Sequence, residues 1–331
     1  VTVLAWREAP RLDEHEHRVE DELARRLTAA SASAFAFADV YAHVLAVPGK
    51  RLRARLVLAC AELHGALGER GQRDAVELAA AIEMLHEASL IHDDICDGST
   101  ERRGAPSVAA AFGVGHAARA GFHLAGEALR LCADVLDRND DLRRVKPSIS
   151  GGGLGALSLG QLLETVPPAG DVASSKRHYR KVARAKTGTM FRLACAMGAA
   201  VARCGEAERT ALLAFADRLA VAYQIVDDVR DVEGPASLGK PRGTDVSRRT
   251  LSWPILEWLR TSPAARDRWA AADDGATAMC DDVTASGATA RARHEAARVV
   301  SEAIGALRVL PPSASTRRLA DLATRTLMDE R

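Results

Sequence analysis

Two runs of aspartate in this chain have a spacing that could do metal chemistry. Asp93-Asp94-Ile95-Cys96-Asp97 and Asp227-Asp228-Val229-Arg230-Asp231 each place a third aspartate four residues after the first. Three other Asp-Asp pairs, at 140–141, 273–274 and 281–282, lack that third residue. At this chain's aspartate content, roughly 0.1 such triplets are expected by chance. On a helix, residues four apart share a face, so each run sets two carboxylates side by side at a small repulsive cost. A divalent cation removes that repulsion. Magnesium binds through one or two carboxylates together with substrate phosphates and water. A single triplet could be a solvated acidic helix end. Two of them, each at the end of an otherwise apolar segment, point instead to a pair of facing metal sites.

The flanking residues extend the pattern. In the segment 83–97, His86, Asp93 and Asp97 fall within roughly 40° of one another on an ideal helix, with Ser89 one turn before Asp93. Gln224, Asp228 and Asp231 cluster in the same way. His86 shares the face of the aspartates and reads as a ligand-facing residue, whereas His92 reads as a core histidine. The cations fall at helix starts and glycine breaks: Lys50 and Arg53 after Pro48-Gly49, Arg102-Arg103 before Gly104, Lys186 in Lys186-Thr187-Gly188, and Lys240 after Gly239. A helix start already favours an anion. Any one of these groups alone is an ordinary solvated face. Together with two acidic sites, they suit two polyphosphate groups held in one cavity.

The elements that position these residues read as helices. The 331 residues are 47% hydrophobic but only 4% aromatic, and strong helix formers dominate. No proline falls between Ala169 and Gly234, and no stretch alternates long enough to read as a strand. The pattern predicts helices over about 16–30, 50–64, 74–97, 121–136, 176–204, 206–232 and 251–259, with a last helix after 311–315. Residues 98–106, 137–153, 234–243 and 271–288 read as loops. Gly152, Ala156 and Gly160 place small residues four apart, a face that lets two helices approach closely. We expect one all-α domain over 1–331, an antiparallel helical bundle around a deep central cavity. The formal charge of +1 gives no global field for nucleic acid. Six scattered cysteines without C-x-x-C spacing read as reduced thiols. No transmembrane run or signal peptide is apparent, so the expectation is a soluble cytoplasmic protein.

In this order the motifs GKRLR (49–53), HEASLIHDDICD (86–97), ERRG (101–104), GQLLE (160–164), KTG (186–188), YQIVDDVRD (223–231) and GK (239–240) resemble the all-trans isoprenyl (polyprenyl) diphosphate synthases. The resemblance runs from about Gly49 to Pro254. It implies a class I isoprenoid synthase fold, usually a homodimer, that joins isopentenyl diphosphate to an allylic diphosphate. It implies that Asp93 and Asp97, with Asp227 and less directly Asp228 and Asp231, hold three Mg²⁺ ions on the allylic diphosphate. Asp94 is counted with them in the first motif. Arg102, Lys186 and Lys240 would contact that diphosphate. Lys50, Arg53, His86 and Arg103 would bind isopentenyl diphosphate, and Thr187 and Gln224 would line the reaction centre.

The chain departs from the family pattern in places. Pro48-Gly49 stands for a double glycine, Ala54 for a frequent proline, Glu164 for an aspartate, and Gly126-Glu127 for Gly-Asp. Thr250 stands where a lysine is usual, with Arg248 and Arg249 beside it. Product length in this family depends on the tunnel below the first motif, which bulky aromatics close. Ala88 and Ser89 are small here, with Leu85 a turn deeper, so the expected product is of geranylgeranyl length or longer. Two rival readings are weaker. A terpene cyclase carries an Asn/Ser/Glu motif where this chain has Asp227–Asp231. A non-catalytic partner subunit usually loses one acidic motif, and both are kept here.

Overall fold

The computed structural model describes residues 14–33, 37–139, 155, 159–160, 162–163, 171–234, 242–261, 263–271 and 275–328. These residues are all-α apart from one hairpin of two-residue strands. The helices are α1 (Glu14–Ser33), α2 (Ala38–Ala46), α3 (Leu52–Ala61), α4 (Glu69–Asp97), α5 (Val108–Phe112), α6 (Val114–Asp137), α7 (Val172–Val201), α8 (Glu206–Glu233), α9 (Thr244–Ser247), α10 (Trp253–Leu259), α11 (Pro263–Ala271), α12 (Ala276–Ala285), α13 (Ala288–Ala306) and α14 (Ala314–Leu327). The hairpin pairs β1 (Glu101–Arg102) with β2 (Ala105–Pro106).

Three long helices, α4, α7 and α8, carry the two acidic motifs and the Lys186-Thr187-Gly188 run. α4 packs against α6, α3, α1 and α7, and α8 packs against α7 and α13. Ile82, Met84 and Leu124 are fully buried between α4 and its neighbours, as are Phe215, Leu219 and Ile225 on α8. A smaller cluster of Val232, Val246, Ile255, Trp258, Met279, Cys280 and Val283 fastens α9 to α12 beneath the end of α8.

α4 ends where it does because Gly98 adopts the left-handed conformation at φ 60°. Ser99 N–H then bonds the Asp94 carbonyl at 2.9 Å, a glycine-closed helix end. The first acidic motif therefore fills the last turn of α4. Carboxylates at a helix C-terminus oppose the helix dipole, a local conflict of the kind found at functional sites.

Some sequence expectations need correction. The stretch 271–288 is not a loop throughout: α12 forms because Met279, Cys280 and Val283 bury at i, i+1 and i+4. α6 begins seven residues before Gly121, since Ala117 and Ala120 continue its buried face. α4 begins at Glu69 rather than Asp74. The 98–106 loop contains the hairpin, whose turn residues Arg103 and Gly104 both have positive φ, as two-residue hairpin turns require. Of the small-residue face, Gly160 is described: a Cβ added there would lie 2.6 Å from the Lys186 backbone nitrogen. Gly152 and Ala156 lie outside the described residues.

Candidate active site

The C-terminal turn of α4, the hairpin, the middle of α7 and the loop 242–252 bring the first motif to a set of cations. Asp93 Oδ1 lies 3.2 Å from Lys186 Nζ. Asp94 is 3% exposed and takes a bidentate pair from Arg102, with Nε at 3.1 Å and a closer Nη2. Asp97 Oδ2 lies 2.9 Å from Arg248 Nη1, while Arg248 Nη2 donates to the Asp97 carbonyl at 2.6 Å. Each carboxylate of this motif thus faces a cation from a different segment.

The second motif is held differently. Asp227 is exposed. Asp228 is buried and accepts from Tyr179 Oη at 2.6 Å, Gln224 Nε2 at 3.0 Å and the Trp253 backbone N–H at 3.1 Å. Asp231 accepts from the backbone N–H groups of Thr244 and Asp245, both at 3.0 Å. Burial pushes the Asp228 carboxyl up to about 7, against the pull of these three donors and with the Asp227 charge adding to it. Burial and neighbouring carboxylates also raise Asp231 and Asp245. Thr187 Oγ1 donates to Gln224 Oε1 at 3.2 Å, which links α7 to the Asp228 network.

The carboxylates of the two motifs offer only oxygens, the set that magnesium takes. The crowded, raised carboxylates Asp228, Asp231 and Asp245 form an anionic region that a divalent cation would relieve. Among the described residues, no three of these aspartates bring their oxygens within 4.8 Å of one another.

Above the hairpin lies a cationic group. Arg103 Nη1 donates to the Val47 carbonyl at 2.9 Å and to Glu87 Oε1 at 3.0 Å. A Cβ at Gly49 would fall 2.7 Å from Arg103 Nη2, so Gly49 is needed for this approach. Arg53 lies 5.3 Å over the Phe191 ring, and its buried Nε has no hydrogen-bond partner. His86 sits among these groups. Burial first, then Arg53, Arg103, Arg102 and Arg51, hold its pKa well below the usual value and keep the ring neutral. Lys50 is exposed at the start of this segment. Lys240 lies outside the described residues.

Several site residues were not singled out by spacing. Arg51, in left-handed conformation before α3, is buried and pairs with Glu20 at 2.6 Å and Glu87 at 3.3 Å. Glu83 accepts the Ala54 N–H at 3.0 Å. The i,i+4 spacing of Glu83 and Glu87 on α4 was the available signal. Tyr179 and Asp245 had none, because their link to Asp228 and Asp231 is tertiary. Arg248 was visible only as a cation near Thr250. On α4, Ala88 and Leu85 are buried, Ser89 is half-buried, and Ser89 Oγ bonds the His86 carbonyl at 2.7 Å.

A sequence profile described as polyprenyl synthetase matches residues 36–285. A geranylgeranyl diphosphate synthase of Mycobacterium tuberculosis is 34% identical over 288 residues, 83% of this chain and 78% of the relative. A farnesyl diphosphate synthase of Geobacillus stearothermophilus is 31% identical, over 74% of this chain and 82% of the relative. The crystal structure of a polyprenyl synthase from Caulobacter crescentus, complexed with calcium and isoprenyl diphosphate, superposes with a TM-score of 0.79 at 26% identity, over 97% of this chain and 98% of that one. The fold and the two acidic motifs thus define a class I isoprenoid synthase. The chain belongs to the polyprenyl synthetase family, and it is a prenyltransferase.

Proposed function

We propose that this enzyme condenses isopentenyl diphosphate with an allylic diphosphate in a Mg²⁺-dependent reaction and releases a product of geranylgeranyl length or longer. The observation that carries the reading is one acidic helix end met by cations from three segments, together with a second acidic helix end held by neutral donors. When bound, Mg²⁺ supplies Lewis-acid activation of the diphosphate leaving group. Asp93, Asp97 and Asp227 would hold it, with Asp228 and Asp231 acting through their fixed carboxylates.

Lys186, Arg102 and Lys240 neutralise charge that develops on the departing diphosphate, and preorganised charge of this kind is commonly the largest catalytic contribution. Lys50, Arg53, His86 and Arg103 hold isopentenyl diphosphate, whose double bond attacks the allylic cation left once the C–O bond has broken. A proton then leaves the condensed product, and the released diphosphate is the nearest available base. Thr187 and Gln224 present oxygen dipoles beside the developing cation. The apolar faces of α4 and α8 exclude the water that would quench it.

The length assignment rests on Ala88 and Ser89, since the relatives include both farnesyl and geranylgeranyl synthases. The chain works as one catalytic unit and pairs into a homodimer. Val114 at 59% and Phe122 at 72% exposure on α6 offer an apolar face for that pairing. Six cysteines without a disulfide fit a cytoplasmic setting. Among the described residues no helix is long and apolar enough to cross a membrane.

The test is incubation of the pure protein with isopentenyl diphosphate and allylic diphosphates of increasing length, with and without Mg²⁺, read by mass spectrometry. A Mg²⁺-dependent ladder in five-carbon steps is expected. Cyclic hydrocarbon from the allylic substrate alone would refute the assignment. Ser89→Phe should shorten the ladder, and an unchanged ladder would remove Ser89 from the tunnel wall.

A further inference from the structure

The end of the bundle away from the acidic motifs carries a second constellation. His64 follows α3 in a turn, Cys204 joins α7 to α8, and Glu208 lies in the first turn of α8. One ligand atom from each lies within 4.8 Å of the others, and this is the one such convergence of three His, Cys, Asp or Glu side chains among the described residues. Along α8, Glu208 is about 28 Å from Asp227 at the helical rise, so the cluster is separate from the site described above.

The geometry distinguishes ligation from a nucleophile relay. His64 Nε2 lies 3.1 Å from Glu208 Oε1 and 3.9 Å from Cys204 Sγ. A thiol–imidazole–carboxylate relay needs the acid on the other ring nitrogen, whereas here both partners converge on the same one. Tetrahedral zinc, with bonds of about 2.3 Å to sulfur and about 2.0–2.2 Å to nitrogen and oxygen, would set N···O near 3.3 Å and S···N near 3.6 Å. The observed separations need shifts of only a few tenths of an ångström. The Glu208 carboxylate is fixed from one side, where its Oε2 accepts the Gly205 N–H at 2.8 Å, leaving Oε1 to face the cluster. Cys204 is 4% exposed, while the His64 side chain is 47% exposed and leaves an entry path. The nearby Arg209 is turned to the Cys204 carbonyl at 2.9 Å and to Glu206.

We infer that His64, Cys204 and Glu208 bind one divalent transition metal of the zinc type, with water as the fourth ligand. The thiolate and carboxylate balance the two positive charges. Binding releases the thiol proton of Cys204 and uses the unprotonated Nε2 of His64. A thiolate and an imidazole select zinc or cobalt over the hard Mg²⁺ ion. The metal would tie the α3–α4 turn to the α7–α8 turn.

The test uses the full chain without an affinity tag, stripped by chelator and titrated with Co²⁺ in excess Mg²⁺. The expected result is one equivalent of Co²⁺ with a near-ultraviolet thiolate-to-cobalt band, displaced by Zn²⁺, which raises the thermal midpoint. Cys204→Ser and His64→Gln should each lose the band and weaken binding by about tenfold or more. His64 is half exposed, so His64→Gln keeps the metal-free fold, which circular dichroism checks. The inference fails if the wild type shows no saturable band, or if the band survives in His64→Gln. It also fails if the band is lost only in Cys96→Ser, which would place the metal at the acidic cleft.

Discussion

Replacing Arg248 with alanine is the sharpest probe of how this chain compensates for Thr250, which stands where the family resemblance leads one to expect lysine. The guanidinium is already at the site, 2.9 Å from Asp97 Oδ2. If Asp97 holds Mg²⁺ as proposed, Arg248 would give up the carboxylate and could turn to the diphosphate. A hydrogen bond to a charged group contributes about 1.5–3 kcal/mol. The side chain is 38% exposed, so solvent screening moves the expectation to the low end. About 1.4 kcal/mol corresponds to a tenfold loss of kcat/KM. The loss should appear with the allylic substrate, while the Mg²⁺ concentration for half-activity should not rise, because a competitor for Asp97 has been removed. Arg249→Ala is the control: that guanidinium lies 4.2 Å over the Trp269 ring, and its loss should change kcat/KM by less than about twofold. Adding Thr250→Lys to Arg248→Ala should restore activity. Steady-state kinetics over a Mg²⁺ series decides the matter. If Arg248→Ala stays within twofold of wild type, or if Arg249→Ala is equally impaired, Arg248 does not substitute for the lysine.

Three further outcomes follow from the same geometry. Gly49→Ala forces the Arg103 guanidinium to move, since the new Cβ would lie 2.7 Å from Nη2; the KM for isopentenyl diphosphate should rise several-fold while the urea midpoint changes by less than about 1 kcal/mol equivalent. Asp94→Ala leaves Arg102 without its buried partner and should cost about 3 kcal/mol of stability, measured by urea denaturation; a loss below about 1 kcal/mol would show that Arg102 finds another partner. His86 has a pKa well below 6.5 in the folded chain, so the unfolded chain takes up the proton first as pH falls. Its contribution to stability is complete above about pH 6.5 and falls by up to about 1.4 kcal/mol per pH unit below that, until the folded pKa is reached. His86→Gln should remove this slope, and urea midpoints at about pH 7.5 and 5.5 in both proteins will show whether it does.

The legible part of this molecule was whatever depends on one helix. The triplets at 93–97 and 227–231 and the His86 face are periodic within a single element, and their positions follow from 3.6 residues per turn. Gly160 was legible for the same reason: a small residue on one face announces close approach, and the backbone it meets is that of Lys186. The hidden part depends on chain segments far apart. Tyr179 and Asp228 are 49 residues apart, and Arg248 and Asp97 are 151 apart, so no local periodicity joins them. α12 was missed because polar residues Asp281, Asp282 and Thr284 surround the three that bury. Arg51 was missed because the three-residue spacing of Lys50 and Arg53 puts those two on one helix face and leaves Arg51 off it. Only the fold turns Arg51 inward to Glu20 and Glu87.

The two acidic motifs, alike in sequence, are unlike in their surroundings. Asp93, Asp94 and Asp97 each meet a full positive charge, from Lys186, Arg102 and Arg248. Among the described residues, the donors to Asp228 and Asp231 are neutral, from Tyr179, Gln224 and backbone N–H groups. Neutral donors orient a carboxylate but bring no positive charge, so the second motif keeps its geometry and a demand for a cation that burial otherwise meets with a proton. Cationic partners cancel charge but can be exchanged: a cation that leaves Asp93 or Asp97 for a diphosphate frees the carboxylate for metal in the same movement. On this reading α8 supplies a fixed anionic wall, and α4 supplies carboxylates whose cations transfer to the substrate as it arrives. A diphosphate would then offer phosphate oxygens to the ion and would draw the competing cations away, so metal and diphosphate should each strengthen the binding of the other. Titrating Mg²⁺ with and without a non-ionisable allylic diphosphate analogue tests this directly. The Mg²⁺ affinity should rise when the analogue is present, and equal affinities would refute the exchange.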